Sequence, residues 1–151
     1  MSRVWIYQAN RFLTKQEAGE INQIAQEFVS SWTAHGSALA AKATIVDNLF
    51  LILEVDEQVA VVTGCSIDKS VHFIKSLGQK FNVDFFDRMC VAFLDNAGQL
   101  KLASREEFQE FVQMNQVGAD TIVFNNLVQN TEELNSKWKI SFSDSWHSKV
   151  F

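Results

Sequence analysis

Ala43-Thr-Ile-Val-Asp-Asn-Leu-Phe-Leu-Ile-Leu-Glu-Val55 is the stretch on which the fold turns. Two runs rich in β-branched and large apolar residues, Ala43 to Val46 and Leu49 to Val55, flank Asp47-Asn48, side chains suited to a tight turn. The spacing predicts a β-hairpin. On its N-terminal side, Ala18, Ile21, Ile24, Ala25, Phe28, Val29 and Trp32 recur at three- and four-residue steps, the period of one helical face. Thr14-Lys-Gln-Glu17 precedes that stripe, and its hydroxyl and carboxylate can satisfy each other's backbone amides at a helix start. Before it, Val4-Trp-Ile-Tyr7 reads as a strand.

On the C-terminal side, Val59 to Val62 either extends the hairpin or leads straight into the next helix. Thr63-Gly-Cys-Ser66 breaks the apolar run, and Ile67, Val71, Ile74, Leu77 and Phe81 mark the buried side of a second helix, with Gly78 near its end. Met89 to Leu94 and Gln99 to Ala103 form a second hairpin around Asp95-Asn-Ala-Gly98, and Ser104-Arg-Glu-Glu107 opens a third helix faced by Phe108, Phe111 and Val112. Thr121 to Phe124 is a short strand, Thr131-Glu-Glu133 a helix start, and Trp138, Ile140 and Phe142 alternate as a last strand. The class is α+β. The order β-α-β-β-α-β through residue 94 is the split βαβ arrangement of ferredoxin-like folds, followed by a β-α-β extension.

A chain of 151 residues, 47% hydrophobic and 21% charged, with 13 Phe and 4 Trp, supports a packed core and is expected to be one α+β domain over residues 1–151. No proline occurs, which argues against stiff linkers and PxxP ligands. The net charge of −5 repels phosphate backbones and anionic lipid headgroups, so nucleic acid is not an expected partner. No apolar run reaches the ~20 residues of a membrane span. Two cysteines, Cys65 and Cys90, make no multi-bridge framework and no signal-like opening is read, so a cytoplasmic, reduced protein is expected.

The chemistry-bearing segment is Thr63-Gly-Cys-Ser-Ile-Asp-Lys69. A helix start after a glycine turn offers amides and a positive dipole end to a phosphate or carboxylate, with Thr63, Gly64, Ser66 and Lys69 as contacts and His35 nearby. It is not a P-loop: Gly64 stands one residue too close to Lys69-Ser70, and Asp68 occupies the second glycine's place. The competing reading makes Ser66 a cap and Asp68 a dipole partner. Cys65, at the same helix start, is the candidate nucleophile or redox thiol, with His35 or His147 as base. Cys90 reads as core.

His35, His72 and His147 with Cys65 count four potential zinc ligands but lack metal-site spacing, so no metal is assigned, and no cofactor is implied. Asp144, Ser145 and His147 stand too close in sequence for a triad. Phe81, Phe85 and Phe86 among Asp84, Asp87 and Arg88 read as an interface patch suited to a homodimer.

Val4-Trp-Ile-Tyr-Gln-Ala-Asn-Arg11, Trp32-Thr-Ala-His-Gly36, Thr63-Gly-Cys-Ser-Ile-Asp-Lys-Ser70, Thr121-Ile-Val-Phe-Asn-Asn-Leu-Val128 and Ser145-Trp-His147 carry a chain-long resemblance. The chain is similar to a group of small bacterial proteins of about this length labelled "ABC transporter ATPase". The resemblance implies a bacterial protein that accompanies such a machine, and it brings no mechanism. Three readings follow: a module binding a small anionic ligand at 63–69, a Cys65-dependent enzyme or redox sensor, and an accessory protein that docks or dimerises without a small-molecule site.

Overall fold

In the computed structural model, which describes residues 1–151, the hairpin that decides the fold forms around a turn whose central residues Asp47 and Asn48 both have positive φ, 55° and 53°. Short polar side chains tolerate that left-handed backbone where most residues do not. The Leu49 amide closes the turn on the Val46 carbonyl at 3.1 Å.

The elements run β1 (Ser2–Gln8), α1 (Lys15–Ser31), β2 (Thr33–Ala34), β3 (Ser37–Ala38), β4 (Ala40–Val46), β5 (Phe50–Asp56) and α2 (Gly64–Phe81). Then follow β6 (Cys90–Leu94), β7 (Leu100–Ser104), α3 (Arg105–Gln113), β8 (Ile122–Phe124), α4 (Thr131–Lys137), β9 (Lys139–Ser141), a 3-10 turn at Phe142–Asp144 and α5 (His147–Val150). They group into two compact units, one of Met1–Asp87 with Gln129–Thr131, the other of Arg88–Val128 with Glu132–Phe151. No helix is long and apolar enough to cross a membrane.

In the first unit the sheet order is β1-β5-β4, with β5 antiparallel to both neighbours. β1 and β4 are therefore parallel, joined through α1, with β5 inserted between them. β5 is covered on both faces, which is why Phe50-Leu-Ile-Leu53 is apolar without alternation. α1 begins in the Thr14/Glu17 capping box and buries Ile21, Ala25 and Val29. The free edge of β1 is met by the chain itself: Val4 N–H donates to the Gln129 carbonyl at 2.9 Å, and the Thr131 amide to Ser2 Oγ at 2.9 Å.

The second unit holds a four-stranded antiparallel sheet, β7-β6-β8-β9. β7 and β8 flank β6 and are parallel, joined through α3. Phe108 lies fully buried at the centre of a core of Val91, Phe93, Ala103, Val117 and Val123. Its ring stands 4.9 Å from Phe151 and 5.4 Å from Phe93.

Several expectations are revised. The fourth strand of a ferredoxin-like sheet, Cys90–Leu94, pairs with β7 and β8 rather than with β1. Of the two readings of residues 59–62, the structure has the second: they form no strand and lead into α2, with the Val62 amide bonded to Glu57 Oε2 at 3.1 Å. Trp32 to Gly36 opens the β2-β3 hairpin, whose turn residues His35 and Gly36 have φ of 51° and 79°.

On α2 the buried stripe is Ser66, Ser70, Ile74 and Leu77, while Ile67, Val71 and Phe81 are only half-buried. The two serines enter because each satisfies its hydroxyl on its own helix start or turn, Ser66 on the Thr63 carbonyl and Ser70 on that of Ile67. The expected aromatic patch is smaller than read: Phe85 is buried, and Phe86, 40% exposed, packs edge-on to Tyr7 at 5.5 Å.

Candidate ligand cleft

An open cleft of about 610 Å³ belongs to the second unit. Its first wall is the tip of the β6-β7 hairpin. There Asp95 accepts from the Ala97 and Gln99 amides, both at 2.9 Å, and Gly98 takes φ 79°, so a carboxylate and a glycine fold four residues into a tight turn. Lys101 stands opposite Phe93 on the same face of β7 as buried Ala103, and brings its ammonium to 3.9 Å from Asp95.

The second wall is α3. Ser104 caps it, its hydroxyl accepting from the Glu107 amide at 3.1 Å while Glu107 Oε1 accepts from the Ser104 amide at 2.9 Å. That backbone hydrogen bond holds the Glu107 carboxyl below its ordinary pKa, so it is an anion at neutral pH. The helix has only nine residues and ends where Asn115 adopts φ 60°. The amides of Gln116 and Val117 both return to the Phe111 carbonyl, at 2.9 and 3.1 Å, which folds Val117 back into the core. The cleft lies along this short helix, with Phe93, Ala103, Phe111 and Val117 as its apolar surface and Asp95, Lys101 and Glu107 at the rim.

The segment singled out in the sequence lies in the first unit, where Thr63 and not Ser66 is the N-cap of α2 and no acidic residue stands in the helix's first turn. Thr63 Oγ1 accepts from the Ser66 amide at 3.2 Å, and Ser66 Oγ accepts from the Thr63 amide at 2.7 Å. Ser66, 1% exposed, thus turns its hydroxyl inward. Gly64, Cys65, Asp68 and Lys69 are exposed. The 32–36 segment does approach this turn, because Trp32 Nε1 donates to the Ser66 carbonyl at 2.8 Å. His35 and His72 are exposed.

His147 belongs to the second unit and is 3% exposed, with Nδ1 lacking any hydrogen-bond partner. Burial, helped by the Arg105 charge, lowers its pKa to about 4, so the ring is neutral at pH 7. It stacks on Trp146 at 3.8 Å. Ser145 gives its hydroxyl to the Phe142 carbonyl at 2.7 Å, and Asp144 accepts from Ser141 at 3.0 Å, so these neighbours serve turns and not a triad. Cys90 is half-buried in β6.

Sequence reasoning found the Asp95 turn, the Ser104 cap and the Phe111 face, but read each as local structure. Nothing in spacing shows that a nine-residue helix leaves a concavity beside a hairpin tip. No protein-family model, curated protein or solved structure matches the chain.

Proposed function

We propose that this α+β protein is a binding module whose ligand places an apolar group in the cleft along α3 and a polar group at the Asp95, Lys101 and Glu107 rim. The observation that carries the reading is the cleft itself: its volume falls in the range of ordinary ligand sites, and a mostly apolar lining with a few converging polar groups is their common chemistry. The two cysteines without a bridge framework support a cytoplasmic setting for such a module, and the resemblance supports its accompanying an ABC-type machine.

The test is a titration of the isotopically labelled protein with N-acetylphenylalanine amide and related aromatic fragments, followed by amide and methyl resonances. Saturable shifts confined to Phe93, Lys101, Phe111 and Val117 support the cleft. Shifts that grow linearly and are scattered over both units sink it.

One observation favours a second reading, the anion site at the start of α2. With Thr63 and Ser66 committed to each other, the amides of Gly64 and Cys65 have no protein partner there, and the exposed Lys69 lies one turn on. Titration with inorganic phosphate decides it, since Lys69→Ala must weaken any binding at this turn and an unchanged affinity removes the site.

A further inference from the structure

The two larger sheets have four edges, β1, β4, β7 and β9. β1 is covered by Gln129–Thr131, as described. On β4, the Ala43 carbonyl accepts from Gln26 Nε2 at 2.8 Å. On β9, Lys139 stands with its ammonium 5.6 Å from the Trp138 ring centre and 5.9 Å from that of Phe124, a charged residue at the exposed edge. β7 alone is bare.

The phase of the β6-β7 ladder shows which groups it offers. The Asp95 amide bonds the Gln99 carbonyl at 2.9 Å and the Arg105 amide bonds that of Met89 at 2.8 Å. Residues 99, 101, 103 and 105 therefore face β6, and Leu100 and Leu102 direct N–H and C=O away from the sheet. Leu102 also lines the cleft. Unpaired backbone donors and acceptors thus run beside an apolar groove, the arrangement that accepts an added strand.

We propose that the cleft's ligand is an extended peptide segment of a partner protein, which adds to the free edge of β7 and places one bulky apolar side chain against Phe93, Phe111 and Val117. This rests on the cleft reading above and names its ligand class. The rim gives the segment its charge. Asp95 and Glu107 face a single cation, Lys101, which already lies beside Asp95, and Glu110 follows Glu107 one turn along α3. The anion without a cationic partner is Glu107, so the segment carries a lysine or arginine next to its apolar anchor. Backbone pairing supplies sequence-tolerant affinity, and the anchor and basic residue supply choice.

The experiment selects heptapeptides from a displayed random library on the whole protein and measures the best of them as a synthetic peptide by fluorescence anisotropy. Leu102→Pro removes one outward N–H, and proline is tolerated at an edge position whose amide points to solvent. Leu102→Ala keeps the amide and removes the side chain. The expected result is about fivefold to tenfold weaker binding to Leu102→Pro than to Leu102→Ala, the worth of one hydrogen bond. Slowed hydrogen exchange at the Leu100 and Leu102 amides accompanies binding, and Glu107→Gln loses preference for basic peptides.

Selected peptides that shift the cleft resonances but bind both Leu102 variants equally, with those two amides unprotected, overturn strand addition and leave the cleft reading standing. Aromatic fragments that bind while selection returns no peptide do the same. A cleft indifferent to fragments and peptides alike overturns both.

Discussion

The two units contain the same element built in opposite chain order. In the first, α1 carries the chain from β1 to β4, and β5 then turns back into the gap between them. In the second, the β6-β7 hairpin is made first and α3 carries the chain over β6 to β8. Each crossover helix opens with a hydroxyl-glutamate capping box, Thr14 with Glu17 and Ser104 with Glu107. The helices differ in length, 17 residues against nine, and so does the consequence. The long helix reaches far enough to cap an edge carbonyl through Gln26. The short one stops beside the hairpin tip, where the cleft and the bare β7 edge are found.

The sharpest way to break this comparison is through the cores. Phe108→Ala removes the fully buried ring around which the second unit packs and is expected to lower stability by about 3–5 kcal/mol, read by denaturant unfolding. A loss below about 1 kcal/mol would show that the core closes over the gap and that the short helix is not held by Phe108.

Acid separates the units next. His147 has its folded pKa lowered to about 4 from 6.5, so above pH 6.5 the neutral ring is matched to its site, and stability is lost as pH falls from 6.5 towards 4 while the unfolded chain gains the proton. The loss reaches up to about 3 kcal/mol by the lower end of that window. His147→Gln is expected to flatten the pH dependence there. In the first unit the pair Arg11–Glu17, two hydrogen bonds of 2.9 and 2.8 Å, lowers the Glu17 pKa to about 2, so its contribution is lost only between pH 4.5 and 2. A wild-type curve already flat from pH 6.5 to 4 would remove His147 from this account.

Two glycines sharpen it further. A Cβ on Gly78 would lie 2.5 Å from the Val83 carbonyl oxygen, which is backbone, so Gly78→Ala is expected to cost about 1–3 kcal/mol. Gly19, exposed within α1, has nothing within 4 Å of a Cβ, and Gly19→Ala is expected to stabilise by about 1 kcal/mol. Thermal melts give both signs. Equal signs would mean that the turn after α2 yields or that α1 frays. The smallest effect is chemical: exposed Cys65 is expected to take iodoacetamide before half-buried Cys90, and peptide mass spectrometry of a time course reads the order.

Much of the local structure was legible because its causes are local. Thr14, Thr63 and Ser104 start helices through atoms three residues away, Asp47-Asn48 and Asp95 to Gly98 turn the chain through their own backbone, and the α1 stripe follows from a period of 3.6. The α2 stripe departs from its apolar period because Ser66 and Ser70 are buried by satisfying their hydroxyls within the helix, which hydrophobicity does not register. The Thr63 to Lys69 segment drew attention by resembling an anion-binding turn, yet the hydroxyls that would meet a ligand meet each other.

What the amino-acid sequence determined by itself is therefore where the longer helices and strands begin, and that the β4-β5 and β6-β7 hairpins close. Only the tertiary structure decided how they combine. Whether Cys90 to Leu94 joins β1 or β8 depends on pairings that lie far apart along the chain, and one apolar strand suits either sheet equally well. The cleft is a further step removed, since concavity is set by how far α3 extends over β7, a property of two elements together that no residue carries alone.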